Sequence, residues 1–241
     1  FFMIDKKLNL LIPVYNENEI IIKTIKQILD NVKCNYLISI CYDYDEDPTL
    51  NIINQNFPNN NKINFIKNSS RGFNNALITG INKTEGDAVM IFMADDHKNF
   101  ELIDTCYQKF YNGFDIVCPS RFVDGGVMEG NPIIKEFLTR SASFFFRYFT
   151  TFPIKDSTNS FRLFSRKLLN NIEKFESDKG FTLSFEITAK AHRLGYKMIE
   201  LPSVWCERET GDSRFKLFSF IPPYIKWLIY IIKTSLLYRK K

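Results

Sequence analysis

The alternation of predicted strands and helices is the feature that most restricts the fold of this 241-residue chain. Short apolar runs typical of buried strands alternate with segments of helical periodicity, and short connections join them. This order predicts an α/β fold with a mainly parallel sheet and helices on both faces. The predicted strands are Asn9–Val14, Tyr36–Tyr42, Ile63–Ile66, Ala88–Met93 and Ile116–Cys118. The predicted helices are Glu19–Leu29, Pro48–Gln55, Gly72–Ile81, Leu102–Tyr111 and, later in the chain, Phe185–Leu194.

Acidic residues follow three of the predicted strands. The segments are Pro13-Val14-Tyr15-Asn16-Glu17, Asp43-Tyr44-Asp45-Glu46-Asp47 and Ala94-Asp95-Asp96-His97. The carboxyl ends of parallel strands lie at one sheet edge, where such sheets bind ligands, so we expect these acids to lie together. A cation relieves their repulsion, and oxygen ligands beside a phosphate suit Mg²⁺ or Mn²⁺. A helix cap or a solvated loop is the alternative for each single acid, above all for Asp45 and Asp47.

Other sequence features narrow the kind of site. The sequence contains neither a GxxxxGK(S/T) loop nor a GxGxxG fingerprint, so acids holding a metal are the remaining common means of binding phosphates. Five scattered cysteines without a CxxC pair argue against a zinc site or a disulfide framework and favour a reducing compartment. Because Phe1–Lys7 shows no signal-peptide pattern, we expect a cytoplasmic protein.

A series of motifs, in order from about Leu10 to Phe215, resembles the inverting family 2 glycosyltransferases with the GT-A fold. Pro13–Glu17 is similar to the opening motif of that family, and Asn68–Ala76, Gly80, Gly86-Asp87 and Met93–Asp95 are similar to its middle. The later motifs resemble the dolichyl-phosphate-mannose synthase-like branch. They are Ser120–Phe122, Asp156–Arg162 and Arg208–Phe215.

The resemblance implies a role for individual residues. Those expected to bind the nucleotide-sugar are Pro13, Tyr15, Glu17, Asp43, Arg71 and Asp95. Asp43 would contact the base, and Asp95 would hold the cation that bridges the diphosphate. Those expected to contact phosphates or the acceptor are Arg121, Arg208, Ser213 and Arg214. For the arginines, a surface or helix-capping charge is the alternative.

The sequence departs from the family at two acidic motifs. The usual Asp-x-Asp metal motif is Met93-Ala94-Asp95 here, so Asp96 or His97 would supply a second metal ligand. The usual Asp-Asp-Gly motif after the second strand is Tyr42-Asp43-Tyr44. In both motifs only the second acid is present.

Asp95 and Asp156 are the predicted catalytic residues. Asp156 is expected beside the acceptor, where a carboxylate takes a proton from a hydroxyl or, if the acceptor is an ionised phosphate, orients it. The structural alternative is a cap of the Ser157–Phe161 turn. Glu186 opens a predicted helix and is expected to support the acceptor side, whereas His192 reads as a packed or exposed helix residue.

The C-terminal segment has its own charge pattern. Residues 214–241 contain seven basic residues and no acid, whereas the rest has 25 basic and 27 acidic residues. Lys226, Lys233 and Lys240 recur on one helical face. The opposite face is apolar, with Leu228, Ile229, Ile231, Ile232 and Leu236, and Trp227, Tyr230 and Tyr238 at its flanks. This pattern predicts a membrane-interface helix, and packing on the body or on another subunit is the alternative.

Together these observations predict a GT-A domain over residues 1–213 and a basic amphipathic tail over residues 214–241. The expected function is inverting transfer of a sugar from a GDP- or UDP-sugar to a polyprenyl phosphate, at the inner face of the membrane. A glycan hydroxyl is the alternative acceptor, and a non-catalytic nucleotide-sugar-binding protein is the alternative of another class. Charge does not indicate nucleic-acid binding, and a homo-oligomer stays open.

Overall fold

The computed structural model describes residues 6–17, 19–96, 98–129, 148–177, 181–206 and 217–238. Within these ranges, a mostly parallel seven-stranded sheet with helices on both faces confirms the predicted α/β fold. The strands are β1 Leu8–Val14, β2 Tyr36–Tyr42, β3 Ile63–Lys67, β4 Ala88–Ile91, β5 Ile116–Ser120, β6 Val127–Glu129, β7 Arg162–Ser165, β8 Met198–Pro202 and β9 Val204–Cys206. The helices are α1 Ile20–Asn31, α2 Pro48–Asn56, α3 Phe73–Lys83, α4 Leu102–Tyr111, α5 Arg166–Asn170, α6 Leu183–Arg193 and α7 Leu217–Tyr238.

The strand order brings the ends of several strands to one edge. The order is β3-β2-β1-β4-β7-β5-β8, and β6 pairs separately with β9. β1 runs parallel to β2 and β4, whereas β7 lies antiparallel between β4 and β5. Since β4 and β5 are both antiparallel to β7, they point the same way. The carboxyl ends of β1 to β5 and the segment that enters β7 therefore meet at one edge.

The two faces of the sheet have separate cores. Alternate side chains of β1 point to opposite faces, as strand geometry requires. Leu8, Leu10 and Ile12 pack with α1 and α4, whereas Leu11 packs with α3 and α6. Gly80 of α3 is part of this packing, because an added Cβ would lie 2.2 Å from Leu11 Cδ1. Glycine therefore allows α3 to lie close against the sheet.

The observed elements differ from the predicted ones mainly at their ends and in the second half of the chain. The first helix was predicted over Glu19–Leu29 and is observed over Ile20–Asn31. The fourth strand was predicted to continue to Met93, whereas the structure ends it at Ile91. Helix ends are the least sharply defined parts of such patterns. β6, β7, β8 and β9 were not predicted: they have three to five residues and lie outside the regular strand–helix alternation of the first half.

One face of helix α7 packs on the body of the domain. For this face, packing on the body, which was the alternative to membrane contact, applies. Trp227 and Ile231 are buried in the same core as α6, and Arg193 of α6 lies 3.5 Å from the centroid of the Tyr230 ring. The predicted division of faces was wrong in part. Trp227, expected at a flank, and Ile231, expected on the apolar face, are both buried, whereas Ile229 of the same predicted face is 47% exposed. In the described residues, no helix is both long enough and apolar enough to cross a membrane.

Candidate active site

Backbone hydrogen bonds join the loop after β1 to the start of α2. Asn16 N–H donates to the two Asp47 carboxylate oxygens at 3.1 and 3.3 Å, and Glu17 N–H donates to Thr49 Oγ1 at 2.8 Å. Asp47 also accepts from Thr49 N–H at 2.9 Å and caps α2, which confirms the capping alternative for this acid. Asn16 has φ 51°, in the left-handed region that asparagine tolerates. The loop after β1 thus has a fixed shape.

The three residues predicted to line the base and ribose differ in exposure. Tyr15 is 43% exposed, and its ring meets Tyr44 edge to face with 5.8 Å between ring centroids. Glu17 is half-buried. Pro13 is a buried β1 residue opposite Cys41, so it shapes the floor of this region from within the sheet.

Asp43 connects the loops after β2 and β3. Asn68 Nδ2 donates to Asp43 Oδ1 at 2.7 Å, and Gly72 N–H donates to Asp43 Oδ2 at 3.0 Å. Arg71 lies in this second loop and is exposed. Asp45 is exposed and forms an ion pair with Lys67, which agrees with its alternative as a loop residue. Asp43, and not Asp45, is the acid that organises this part of the edge.

Asp95 and Asp96 follow β4 and have different surroundings. Asp95 is half-buried. Asp96 accepts hydrogen bonds from Asn99 Nδ2 at 2.8 and 2.9 Å and from Asn99 N–H at 3.0 Å. Burial raises the pKa of Asp96, and the charge of Asp95 adds to the rise although the bonds from Asn99 oppose it. Because Asn99 also bonds the backbone of Val204, Asp96 fixes the turn against β9.

Arg121 and Asp156, predicted for different roles, form one buried ion pair. Arg121 Nε and Nη2 donate to separate Asp156 oxygens, both at 2.7 Å, and Arg121 N–H donates to Asp156 Oδ2 at 3.0 Å. Arg121 Nη2 also donates to Thr158 Oγ1 at 2.6 Å. Burial alone would raise the pKa of Asp156, but the charge and hydrogen bonds of Arg121 outweigh it and hold that pKa below its usual value.

This geometry bears on the two roles predicted for Asp156. A carboxylate with no exposed surface, a lowered pKa and a bidentate arginine partner is poorly suited to take a proton from a hydroxyl. It is well suited to orient Arg121. Asn159 N–H donates to Asp156 Oδ1 at 3.2 Å, so the turn-capping alternative is also present.

Two residues that support this pair were missed as site residues in the sequence. Arg162, at the start of β7, is fully buried; it donates to the Asp156 carbonyl oxygen and, at 2.7 Å, to Thr188 Oγ1. Glu200 of β8 accepts from Asp156 N–H at 3.0 Å. The sequence signal for Arg162 was its place in the motif that also contains Asp156. Glu200 lies in a segment with no motif.

Glu186 holds a neighbouring segment, and its support of the acceptor side stays a prediction. Its carboxylate accepts from Glu176 N–H at 2.8 Å, from Ser177 N–H at 2.7 Å and from Lys190 Nζ at 2.6 Å. His192 is a packed helix residue, as predicted, with its ring edge to face with Phe152. Four predicted site residues lie outside the described residues: His97, Arg208, Ser213 and Arg214.

The residues at the end of β4 would hold a divalent cation only together with ligands from outside the chain. Among the described residues no group of three histidine, cysteine or acidic side chains is placed to hold a metal alone. Mg²⁺ and related ions, however, are often bound by one or two carboxylates together with substrate phosphates and water. Asp95 supplies such a carboxylate at the sheet edge, and Asp96 is already used by Asn99.

Sequence relatives support the assignment that the motifs suggested. The chain is 26% identical over 216 residues to a dolichol-phosphate mannosyltransferase of Pyrococcus furiosus, covering 87% of this chain and 59% of that protein. It is 30% identical over 173 residues to an uncharacterized glycosyltransferase of Synechocystis, covering 70% of this chain and 53% of that protein. The chain therefore spans somewhat more than half the length of these relatives.

Solved structures and a family model complete the comparison. A mannosyltransferase from Pyrobaculum calidifontis in complex with GDP-Man and Mn²⁺ matches with a TM-score of 0.65 and 15% identity over 97% of this chain and 65% of that chain. Glucosyl-3-phosphoglycerate synthase from Mycobacterium tuberculosis, with Mn²⁺, UDP and product, matches with a TM-score of 0.66 and 12% identity over 95% of this chain and 80% of that chain. These matches confirm the GT-A fold. The family model for Glycosyl transferase family 2 matches residues 10–173, and the chain belongs to that family.

Proposed function

We propose that this chain transfers a monosaccharide, with inversion, from a GDP- or UDP-sugar to a polyprenyl phosphate. The loops after β1, β2 and β3 hold the nucleotide, with Tyr15, Asp43 and Arg71 beside the base and ribose. Asp95 would hold Mg²⁺ or Mn²⁺, and that ion would supply positive charge to neutralise the nucleoside diphosphate leaving group. Known structures of this fold with Mn²⁺ and a nucleotide or nucleotide-sugar support this arrangement.

The Arg121–Asp156 pair is the observation that distinguishes between the two possible acceptors. The acceptor oxygen attacks the anomeric carbon as the bond from that carbon to the diphosphate breaks. An acceptor hydroxyl must also lose a proton, whereas an acceptor phosphate is already ionised and needs no base. Asp156 is buried and bound to Arg121, an arrangement that orients a guanidinium towards phosphate. A phosphate acceptor therefore agrees better with this pair than a sugar hydroxyl does.

The outer face of α7 supports an acceptor with a lipid tail. Its exposed apolar side chains are Ile225, Ile229, Leu236 and Leu237, and Tyr148 and Phe149 are also exposed. Thr151 N–H donates to Ser235 Oγ at 2.9 Å, which places the 148–151 segment beside this part of the helix. Exposed Lys226 and Lys233 add positive charge to the same helix. Apolar side chains beside lysines are typical of a helix that lies in a membrane interface, and we propose peripheral contact with an anionic membrane.

The test begins with the donor and ends with the product. GDP- and UDP-sugars are screened by thermal shift with Mg²⁺ or Mn²⁺, because a ligand at 100 times its Kd stabilises the folded state by about 2.7 kcal/mol. The donor that binds is then labelled in its sugar and supplied with undecaprenyl phosphate. A chloroform-soluble, acid-labile labelled product is expected. Label transferred only to a glycan would select the hydroxyl acceptor, and binding without transfer or hydrolysis would select a non-catalytic protein.

A further inference from the structure

Tyr44 occupies a position between two loops of the proposed nucleotide site. It follows Asp43 directly and begins the turn that leads into α2, where Asp47 N–H donates to the Tyr44 carbonyl oxygen at 3.2 Å. The side chain is half-buried. A ring therefore takes up space at the carboxyl edge where the related motif has a glycine and no side chain.

The ring of Tyr44 is held at both ends. Its hydroxyl donates to Asn16 Oδ1, and Asn16 is itself fixed through the bonds from its N–H to Asp47. The other contact is with the ring of Tyr15, at 5.8 Å between centroids and 65° between planes. A ring that is fixed before a ligand arrives loses little freedom when the ligand binds.

The Tyr44 hydroxyl is protonated at neutral pH, as an ordinary tyrosine hydroxyl is. Burial and the charge of Asp47 raise its pKa, although the bond to Asn16 and the charge of Arg71 lower it in part. The hydroxyl is therefore a hydrogen-bond donor at neutral pH.

We propose that Tyr44 is a wall of the nucleotide-base pocket and makes this site selective for a pyrimidine over a purine nucleoside diphosphate. This inference rests on the proposed function and specifies the nucleotide of its donor. Tyr15 offers a ring face on which a base stacks, and Tyr44 stands at a steep angle to that face and limits the width of the base. Asp43, which accepts hydrogen bonds from Asn68 and Gly72, directly precedes Tyr44 and would contact the edge of the base.

The test measures the affinity of the full chain for UDP and for GDP in Mg²⁺ by calorimetry. Wild type is expected to bind UDP at least tenfold more tightly than GDP. Tyr44→Ala and Tyr44→Gly should lower the affinity for UDP about tenfold, because the wall is lost. Their affinity for GDP should be unchanged or higher. Tyr44→Phe keeps the ring but loses the hydrogen bond of the hydroxyl to Asn16, so it should lower the affinity for UDP only a few fold.

Tyr111→Ala is the matched control, since Tyr111 is partly exposed at the end of α4 and lies beside Lys6, at the opposite edge of the sheet. It should bind both nucleotides as wild type does. The inference is overturned if wild type prefers GDP, or if Tyr44→Ala and Tyr44→Gly keep the wild-type ratio of affinities while folded by circular dichroism. If wild type binds neither nucleotide, the proposed function itself fails.

Discussion

At the scale of single residues, Asp95 is the carboxylate on which the proposed metal site depends. We expect Asp95→Ala to lower turnover about 100-fold or more, because the charge on the departing diphosphate is no longer neutralised. The melting temperature should change little, since Asp95 is only half-buried, in the loop after β4. Turnover is measured with saturating donor over a range of Mn²⁺ concentrations.

Asp45→Ala is the control for that experiment. Asp45 is an acid at the same sheet edge, but it is exposed and paired with exposed Lys67, and such pairs contribute about 0–1 kcal/mol. Its replacement should leave both turnover and metal dependence unchanged. Near-normal turnover of Asp95→Ala would remove this residue from the mechanism and direct attention to Asp96 and His97.

The Arg121–Asp156 pair leads to a prediction about stability and activity together. Asp156→Asn leaves the buried Arg121 charge without its counter-ion, which should lower the free energy of unfolding by about 3–5 kcal/mol. Turnover should fall more than donor affinity if the pair orients the acceptor phosphate. Urea unfolding, donor calorimetry and steady-state kinetics measure the three quantities, and an equal loss of donor binding and turnover would assign the pair a purely structural role.

The same pair predicts how stability depends on pH. The folded-state pKa of Asp156 is lowered, so the pair contributes its full stabilisation above the unfolded value of about 3.9 and loses it as pH falls through the folded pKa. Wild type should therefore lose stability in acid more steeply than Asp156→Asn does. If the stability of the two proteins falls equally with pH, another group controls stability in this pH range.

Residue-level interpretation of the sequence identified both partners but not their pairing. Asp156 and Arg121 are 35 positions apart, and only the insertion of β7 between β4 and β5 brings them together. The motif resemblance therefore assigned one to phosphate and the other to acceptor. The helix-cap role of Asp47 was considered in advance because Pro48, which favours the first turn of a helix, follows it directly.

At the scale of elements, the packing of α7 depends on its buried tryptophan. Trp227→Ala should lower the free energy of unfolding by about 3–5 kcal/mol, because Trp227 is 2% exposed and its Nε1–H donates to Ser177 Oγ at 3.2 Å. Ile229→Ala, two residues away on the exposed face, should change it by about 0.5 kcal/mol or less. Urea unfolding compares the two, and equal effects would mean that α7 does not pack as described.

Elements in the regular strand–helix alternation of the first half were predictable, and most of those after it were not. The predicted strands and helices of the first half coincide with β1 to β5 and α1 to α4 to within a few residues. The direction of β7 and the short strands after it depend on contacts between distant parts of the chain, which local periodicity does not contain. The inward face of α7 was misassigned because its apolar residues encircle most of the helix, and tertiary packing decides which of them face the core.

At the scale of the whole molecule, the excess of positive charge lies in the C-terminal segment, where four exposed large apolar side chains also lie. Residues 214–241 contain seven basic residues and no acid, whereas the rest has 25 basic and 27 acidic residues. Deleting residues 222–241 would be a poor test of membrane contact, because it would also remove Trp227 and Ile231 from the core. Substitution of the exposed face alone separates membrane contact from folding.

We therefore predict the behaviour of a variant in which four exposed side chains of α7 become serine: Ile225, Ile229, Leu236 and Leu237. The variant should keep its melting temperature to within a few degrees, since these side chains lie outside the core. It should lose most of its co-sedimentation with anionic liposomes. Apolar side-chain surface that becomes buried in the membrane contributes about 25 cal/mol per Å² to the free energy of attachment. Wild type should sediment at low salt and less at high salt, as each lysine or arginine near an anionic surface contributes about 1 kcal/mol that salt screens. If wild type stays in solution with these liposomes at low salt, the exposed face is not a membrane contact, and a glycan acceptor then becomes the better assignment.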